Sequence, residues 1–357
     1  MKYDSGVIKS VTVTPHWQDL VKKYQVPDNW RSVWQIANSV VPYVATWYLM
    51  YRSLSVSYWL TLSLAPLAAG FMTRIFIILH DCGHGSFFKS SRANHAVGTV
   101  CGVLAHTPYF QWTREHAIHH ASSGDLSRRG VGDVTTLTVK EYLALSKWGR
   151  LKYRLYRNPL VMLGVGPHFI FLLMHRFAGK NSGRRERNNL HLTNLGMLAL
   201  YGSLWWAVGL KALLMIMAPI VIIAGAAGVW LFYVQHQYEE TYWRGRGEWD
   251  YATSALLGSS YYKLPRALQW FSGNIGFHHI HHLSPKIPNY KLQRCHEENP
   301  LFQESTVLGI RASLKTASMK LWDEELQRMV GFNQIGAASG AEREISTASG
   351  SERVSHK

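Results

Sequence analysis

A chain of 357 residues with 47% apolar content is long enough for a sizeable core, but its apolar residues are gathered into long runs separated by strongly polar segments. That segregation argues against two ordinary soluble domains. A net charge of +16 would suit nucleic acid, anionic lipid or an acidic partner, yet no zinc-finger spacing, RNP-type aromatic motif or helix-turn-helix signal accompanies it, so no nucleic-acid partner is expected.

Residues 1–32 lack an apolar core and read as a cytoplasmic segment without a cleavable signal peptide. Crossing a hydrocarbon core of about 30 Å takes roughly 20 helical residues. Four runs meet or approach that length, at 33–50, 56–79, 192–209 and 212–235. Short links pair the first run with the second and the third with the fourth, predicting two membrane hairpins. Buried helices of a large soluble protein are the alternative, and the apolarity of the runs disfavours it. Many of the 14 tryptophans and 18 tyrosines lie near run ends, as amphipathic rings do at a membrane–water interface. The two short links carry one basic residue each, Arg52 and Lys211, whereas the longer polar segments carry many. Basic residues favour the cytoplasmic side, so the longer segments are placed there, facing anionic headgroups.

Within this frame Arg74, near the end of the second run, is expected to snorkel to the interface. Residues 96–105 are too short to span and read as a re-entrant or interfacial piece. Residues 160–177 are longer, but the cluster Arg176, Lys180, Arg184, Arg185 and Arg187 belongs on the cytoplasmic side. This stretch is therefore read as an interfacial helix. Residues 33–290 form the membrane domain, 291–332 a cytoplasmic helical region, and 333–357 a disordered tail rich in Gly, Ala, Ser, Glu and Arg. Cys82, Cys101 and Cys295 are odd in number, show no paired spacing and are expected to stay reduced. The fold class is thus an all-α integral membrane protein, with four transmembrane helices in two hairpins beneath a cytoplasmic helical cap.

Of the 18 histidines, three clusters stand out: His80 and His84 (HxxxH); His116, His119 and His120 (HxxHH); and His278, His281 and His282 (HxxHH). Residues at i, i+3 and i+4 share a helix face, so the imidazoles of each cluster can point at metal. Imidazole suits iron, zinc, copper and nickel. Eight histidines exceed what one metal holds, and two metals is the natural count. His236, at the end of the fourth run, is a further candidate placed opposite the first cluster. His279 breaks the spacing and is left out. His95, His106, His168, His175 and His191 lack partners at ligand spacing and read as interfacial. Nearby carboxylates are Asp81, Glu115, Asp125, Glu239, Glu240 and Asp250. Asp81 and Glu115 adjoin candidate ligands and are plausible acceptors for a second ring N–H, although adjacent helical residues do not face each other. The Glu and Glu-x-x-His pattern of soluble di-iron proteins is missing.

HDCGHGSFF at 80–88, HAIHH at 116–120 and NIGFHHIHHLSPKIPNY at 274–290 resemble the membrane fatty acid desaturase family, in particular its bacterial and cyanobacterial omega-6 acyl-lipid type. The resemblance covers the chain from the first run to Tyr290. It implies two non-haem irons held by nine histidines: His80, His84, His116, His119, His120, His236, His278, His281 and His282. In VQHQYEE, His236 matches the family's additional histidine. Asn274 lies near a position where related acyl-CoA desaturases place an asparagine, though the local sequence differs. The HPGG haem motif of a fused cytochrome b5 is not present.

The reaction implied is O2-dependent desaturation of membrane-lipid acyl chains to a cis alkene. An unactivated methylene offers acid–base catalysis no handle, so metal and dioxygen must supply the oxidant. No GxGxxG follows a predicted strand, which points to an external electron donor such as ferredoxin or another small acidic redox protein. Gly70, Gly225 and Gly228 would either shape the acyl tunnel or pack helices. A same-superfamily acyl hydroxylase or carotenoid ketolase/hydroxylase is the alternative. A histidine-rich metal transporter is a third reading, disfavoured because the histidines lie outside the runs rather than at a midplane path. The expected location is the bacterial inner membrane, with the site on the cytoplasmic face.

Overall fold

The computed structural model describes residues 17–335. The residues expected to form most of the disordered tail, 336–357, and the first half of the N-terminal segment lie outside the described residues. Helix α1 (Trp17–Lys22) leads into α2 (Asn29–Ser53), which starts where the Asp28 carboxylate accepts hydrogen bonds from the N–H groups of Trp30 and Arg31. α3 (Tyr58–Gly83) packs along α2, and α4 (Ser91–Leu104) and α5 (Tyr109–Ser122) follow. Strand β1 (Leu137–Thr138) runs into α6 (Val139–Ala144), opened by a capping box between Thr138 and Glu141, and then α7 (Lys147–Tyr156). An irregular helical stretch, Val161–Arg176, has π-helical turns on both sides of one α turn, α8 (Gly166–His168). α9 (Arg184–Val208) and α10 (Leu210–His236) meet at Gly209, whose φ of +82° suits only a residue without a side chain.

The remaining elements form the cap: α11 (Tyr251–Leu257), β2 (Tyr261–Lys263), α12 (Arg266–Phe271), α13 (His278–Leu283), α14 (Asn289–Glu298), β3 (Val307–Gly309), α15 (Ile310–Thr316), β4 (Leu321–Asp323) and β5 (Arg328–Val330). β1 pairs parallel to β4, which pairs antiparallel to β5. β2 pairs parallel to β3 with Tyr261 opposite Val307. The expectation of an all-α cap, helical over 291–332, is therefore corrected. These strands are two or three residues long, too short for alternation to show in the chain itself, and β1 and β2 take their partners from far away in sequence.

α3 and α10 are long and apolar enough to cross a membrane. α2 contains the run at 33–50 and α9 all but the last residue of the run at 192–209, but both fall below that standard among the described residues. The cause in α2 is its inward face, where Ser32, Gln35, Ser39, Thr46 and Ser53 are buried while Trp34, Val41, Val44, Tyr48 and Leu49 are exposed. In α9 the stretch beyond its charged opening still carries His191, Thr193, Asn194, Gly196, Gly202 and Ser203, which lower its average. α7 and the Val161–Arg176 stretch would qualify together, but they are bent by 57° at the break. Ala65, Ala68, Ile75 and Ile78 of α3 form the fully buried centre of the main core against α2, α4 and α10. Arg74 does not snorkel: it is buried, donates to the Trp270 carbonyl and stacks 3.9 Å over the Trp270 ring.

Candidate metal centre

The nine histidines singled out in the sequence come together as two groups, each with ligand-capable nitrogens within 4.8 Å of one another. His80, His84, His116, His120 and His281 form one group, and His119, His236, His278 and His282 the other. His80 lies in the last turn of α3, His84 just beyond it, and His236 is the final residue of α10. α5 and α13 each divide their histidines. With 100° of rotation per residue, positions i and i+4 lie about 40° apart while i+3 points about 100° away from i+4. α5 thus sends His116 and His120 to the first group and His119 to the second. α13 sends His278 and His282 to the second and His281 to the first.

The rings are fixed from behind. His80 Nδ1 lies 3.0 Å from Asp81 Oδ1, whose other oxygen accepts from the backbone N and side-chain Nδ2 of Asn289 at 2.7 and 2.8 Å. His119 Nδ1 bonds to Asp133 Oδ1, and His236 Nδ1 donates to the Gly258 carbonyl at 3.1 Å. Gly132, with φ +69°, brings this loop in: a β-carbon there would stand 3.0 Å from the Glu115 carbonyl and 3.2 Å from His119 Cβ. The Trp112 ring stacks on His116 at 4.4 Å between centroids.

The front of the rings fits a cation. His119 and His236 both spend their ring N–H on an oxygen, so both present bare Nε2 lone pairs, only 3.2 Å apart. Two lone pairs at that distance repel unless a positive ion lies between them. Nε2 separations elsewhere are 2.9 Å (His278–His236), 3.0 Å (His281–His120) and 3.1 Å (His120–His116). Two ligands at about 2.1 Å from one ion stand about 3.0 Å apart when cis at 90° and about 3.4 Å apart when tetrahedral. The observed spacing is nearer the octahedral value. Nε2 of His80, His84 and His282 is buried with no hydrogen-bond partner, the condition of a donor atom awaiting metal. Burial first, then the repulsion that a second protonated imidazole in the same cluster would meet, hold His84, His116, His120, His278, His281 and His282 well below the ordinary imidazole range, hence neutral and able to ligate.

Other residues take different roles from those expected. Asp81 does reach the adjacent His80 ring, because Asn289 turns its carboxylate inward. Glu115 pairs loosely with Arg114, Asp125 with Arg128 and Glu239 with Arg328, Asp250 caps α11, and Glu240 is exposed. His279 stays outside both groups and meets His296 at 3.3 Å. His106 and His175 are buried rather than interfacial, and His106 bonds to Tyr201. Asn274 donates weakly to the Asn289 carbonyl at 3.4 Å; the amide that supports the site is Asn289. Asp133 and Asn289 were missed, the only local hint being the Gly-Asp step after the second cluster. Gly70 packs against Phe271, whereas Gly225 and Gly228 line an apolar cleft with Met72, Phe76, Phe171 and Val221. Phe76 contacts Trp112 edge-on at 5.3 Å, which ties this cleft to the histidines.

The fatty acid desaturase family profile matches residues 57–311. A fatty acid desaturase of Bacillus subtilis is 47% identical over 315 residues, covering 88% of this chain and 90% of that protein. The sn-1 oleoyl-lipid 12-desaturase of Synechocystis is 28% identical over 234 residues, 63% of this chain and 64% of that protein. The sn-2 acyl-lipid omega-3 desaturase (ferredoxin) of Helianthus annuus is 28% identical over 314 residues, 81% of this chain and 66% of that protein. With the profile spanning all three histidine clusters and a bacterial relative alike over nearly the whole chain, the protein belongs to the fatty acid desaturase family.

Proposed function

We propose that the chain is an O2-dependent acyl desaturase that introduces a cis double bond into acyl chains of membrane lipids. The observation that carries this reading is the pair of adjacent five- and four-imidazole groups, with Nε2 atoms at the spacing of cis metal ligands. The nine histidines would hold two non-haem irons, one per group. When bound, iron together with dioxygen supplies an oxidant able to take hydrogen from an unactivated methylene.

The chain's own residues do the rest. Asp81, Asp133 and the Gly258 carbonyl fix three rings in the tautomer that points Nε2 forward. Burial of the imidazoles excludes bulk water, and the Phe76–Trp112 contact lines the approach from the apolar cleft to the site. The reaction consumes two hydrogens from adjacent carbons, one O2, two external electrons and two protons, and yields the alkene and two waters. A ferredoxin or another small redox protein would deliver the electrons, a reading supported by the name of the sunflower relative.

The exposed apolar faces of α2 and α9, including Trp34, Val41, Leu195, Leu198 and Trp206, favour lipid contact for these helices as well as for α3 and α10. This supports four spans in two hairpins within the domain at 33–290, with the histidines on the cytoplasmic side of a bacterial inner membrane. Expression in a host with a compatible donor, followed by gas chromatography–mass spectrometry of total lipid, tests the function. The expected product has lost two hydrogens. Acyl chains that gain oxygen would assign a hydroxylase instead, and an unchanged profile with two irons bound would remove the proposal.

A further inference from the structure

A second site lies where α6 and α7 meet the end of the described chain. There a cleft of approximately 340 Å³ is lined by Lys147, Arg150, Leu151 and Arg154 of α7 together with Leu143 and Phe332. The three cations recur at helical spacing along one stripe of α7. The neighbouring stripe is apolar and open, with Trp148, Leu151 and Leu155 exposed by 62%, 44% and 51%. Tyr153 anchors the opposite face by donating to the Lys320 carbonyl at 2.8 Å.

Two of the three cations are held in place by hydrogen bonds. Arg150 donates Nε and Nη2 to the carbonyls of Leu145 and Leu143, and Arg154 donates Nε to the Tyr142 hydroxyl, which fixes both guanidinium groups at the cleft. Among the described residues no carboxylate lies within ion-pair distance of Lys147, Arg150, Lys152 or Arg154, although nearby Arg129 and Lys140 are paired with Glu141 and Glu325. Past Tyr156 the chain turns by 57° into the Val161–Arg176 stretch, where Leu160, Val165 and Phe169 are exposed. α7 therefore lies where the chain passes from a polar surface to an apolar phase, with basic and apolar stripes side by side.

We propose that this cleft binds the phosphate-bearing headgroup of an anionic phospholipid, whose acyl chains lie along Trp148, Leu151 and Leu155. An acidic protein would have no use for the exposed apolar stripe, and a neutral headgroup would leave several cations without a partner. The test uses the full-length, metal-loaded protein in a neutral detergent, titrated by native mass spectrometry with short-chain phosphatidylglycerol, with phosphatidylcholine of the same chains, and with inorganic phosphate. Saturable binding of phosphatidylglycerol, at least tenfold tighter than either comparison, is expected. Lys147→Gln, which removes an exposed side chain with no partner among the described residues, should weaken binding about fivefold, and Lys147→Gln with Arg154→Gln roughly 25-fold. Lys315→Gln, on α15, should leave it unchanged. Equal binding of phosphatidylcholine, equal binding of inorganic phosphate, or an unaltered affinity in Lys147→Gln at unchanged melting temperature would each overturn the proposal.

Discussion

Asp133 offers a graded test of the proposed metal centre. Its carboxylate holds His119 Nδ1 from a loop that reaches the ring only because residue 132 is glycine. The side chain is nearly buried, so the interaction is little screened by solvent. A hydrogen bond to a charged group contributes about 1.5–3 kcal/mol and a neutral one about 0.5–1.5 kcal/mol. Asp133→Asn retains an acceptor and loses the charge, a difference of about 1–1.5 kcal/mol, or roughly 5- to 13-fold in affinity at the four-histidine group. Asp133→Ala loses the whole interaction, roughly 10- to 150-fold. The assay is iron per chain after dialysis against graded chelator, with Glu115→Gln as a control because Glu115 faces Arg114 rather than a histidine. The expected order of retention is wild type, then Asn, then Ala. Loss should stop at one iron per chain, since the five-histidine group does not depend on Asp133. Two irons retained at wild-type chelator resistance in Asp133→Ala would refute the reasoning, as would simultaneous loss of both.

Further outcomes follow from the same geometry. His84→Ala and His278→Ala should each abolish desaturation but strip iron from different groups, resolvable by Mössbauer spectroscopy; identical spectra for the two would contradict the five-and-four division. A β-carbon at Gly228 meets open space within the apolar cleft, so Gly228→Leu should fold normally and shift products toward shorter acyl chains; an unaltered chain-length profile would separate that cleft from the substrate path. Gly132→Ala forces a side chain into a left-handed backbone against the Glu115 carbonyl and should cost about 1–2 kcal/mol, read as a lower melting temperature. In metal-free protein, burial keeps the folded imidazoles from taking protons, whereas unfolded histidines titrate near pH 6.5. The unfolded state then binds more protons below that pH, so stability is retained above about pH 6.5 and falls as pH drops through 6 to 5. A melting temperature that is flat or rises over that range would show that these rings are already charged in the fold.

The histidine spacing determined eight of the nine candidate ligands, because i, i+3 and i+4 positions are neighbours on any helix whatever surrounds it; His236 came instead from its place at the end of an apolar run and from the family resemblance. The apolar lengths of α3 and α10 were legible for the same reason: hydropathy over some twenty residues is a local property. α2 was harder to read, since a helix whose polar side faces protein and whose apolar side faces outward has a mixed average. Only the tertiary structure decided how the nine rings divide. That division depends on the 100° step between neighbouring positions of α5 and α13 once both helices are docked against the ends of α3 and α10. It also decided which groups hold the rings: Asp133 from a loop, Asn289 from the cap, the Gly258 carbonyl after α11. None of these lies at a periodic distance from the histidine it serves, directly or through Asp81, and contacts made through space leave no period in a sequence.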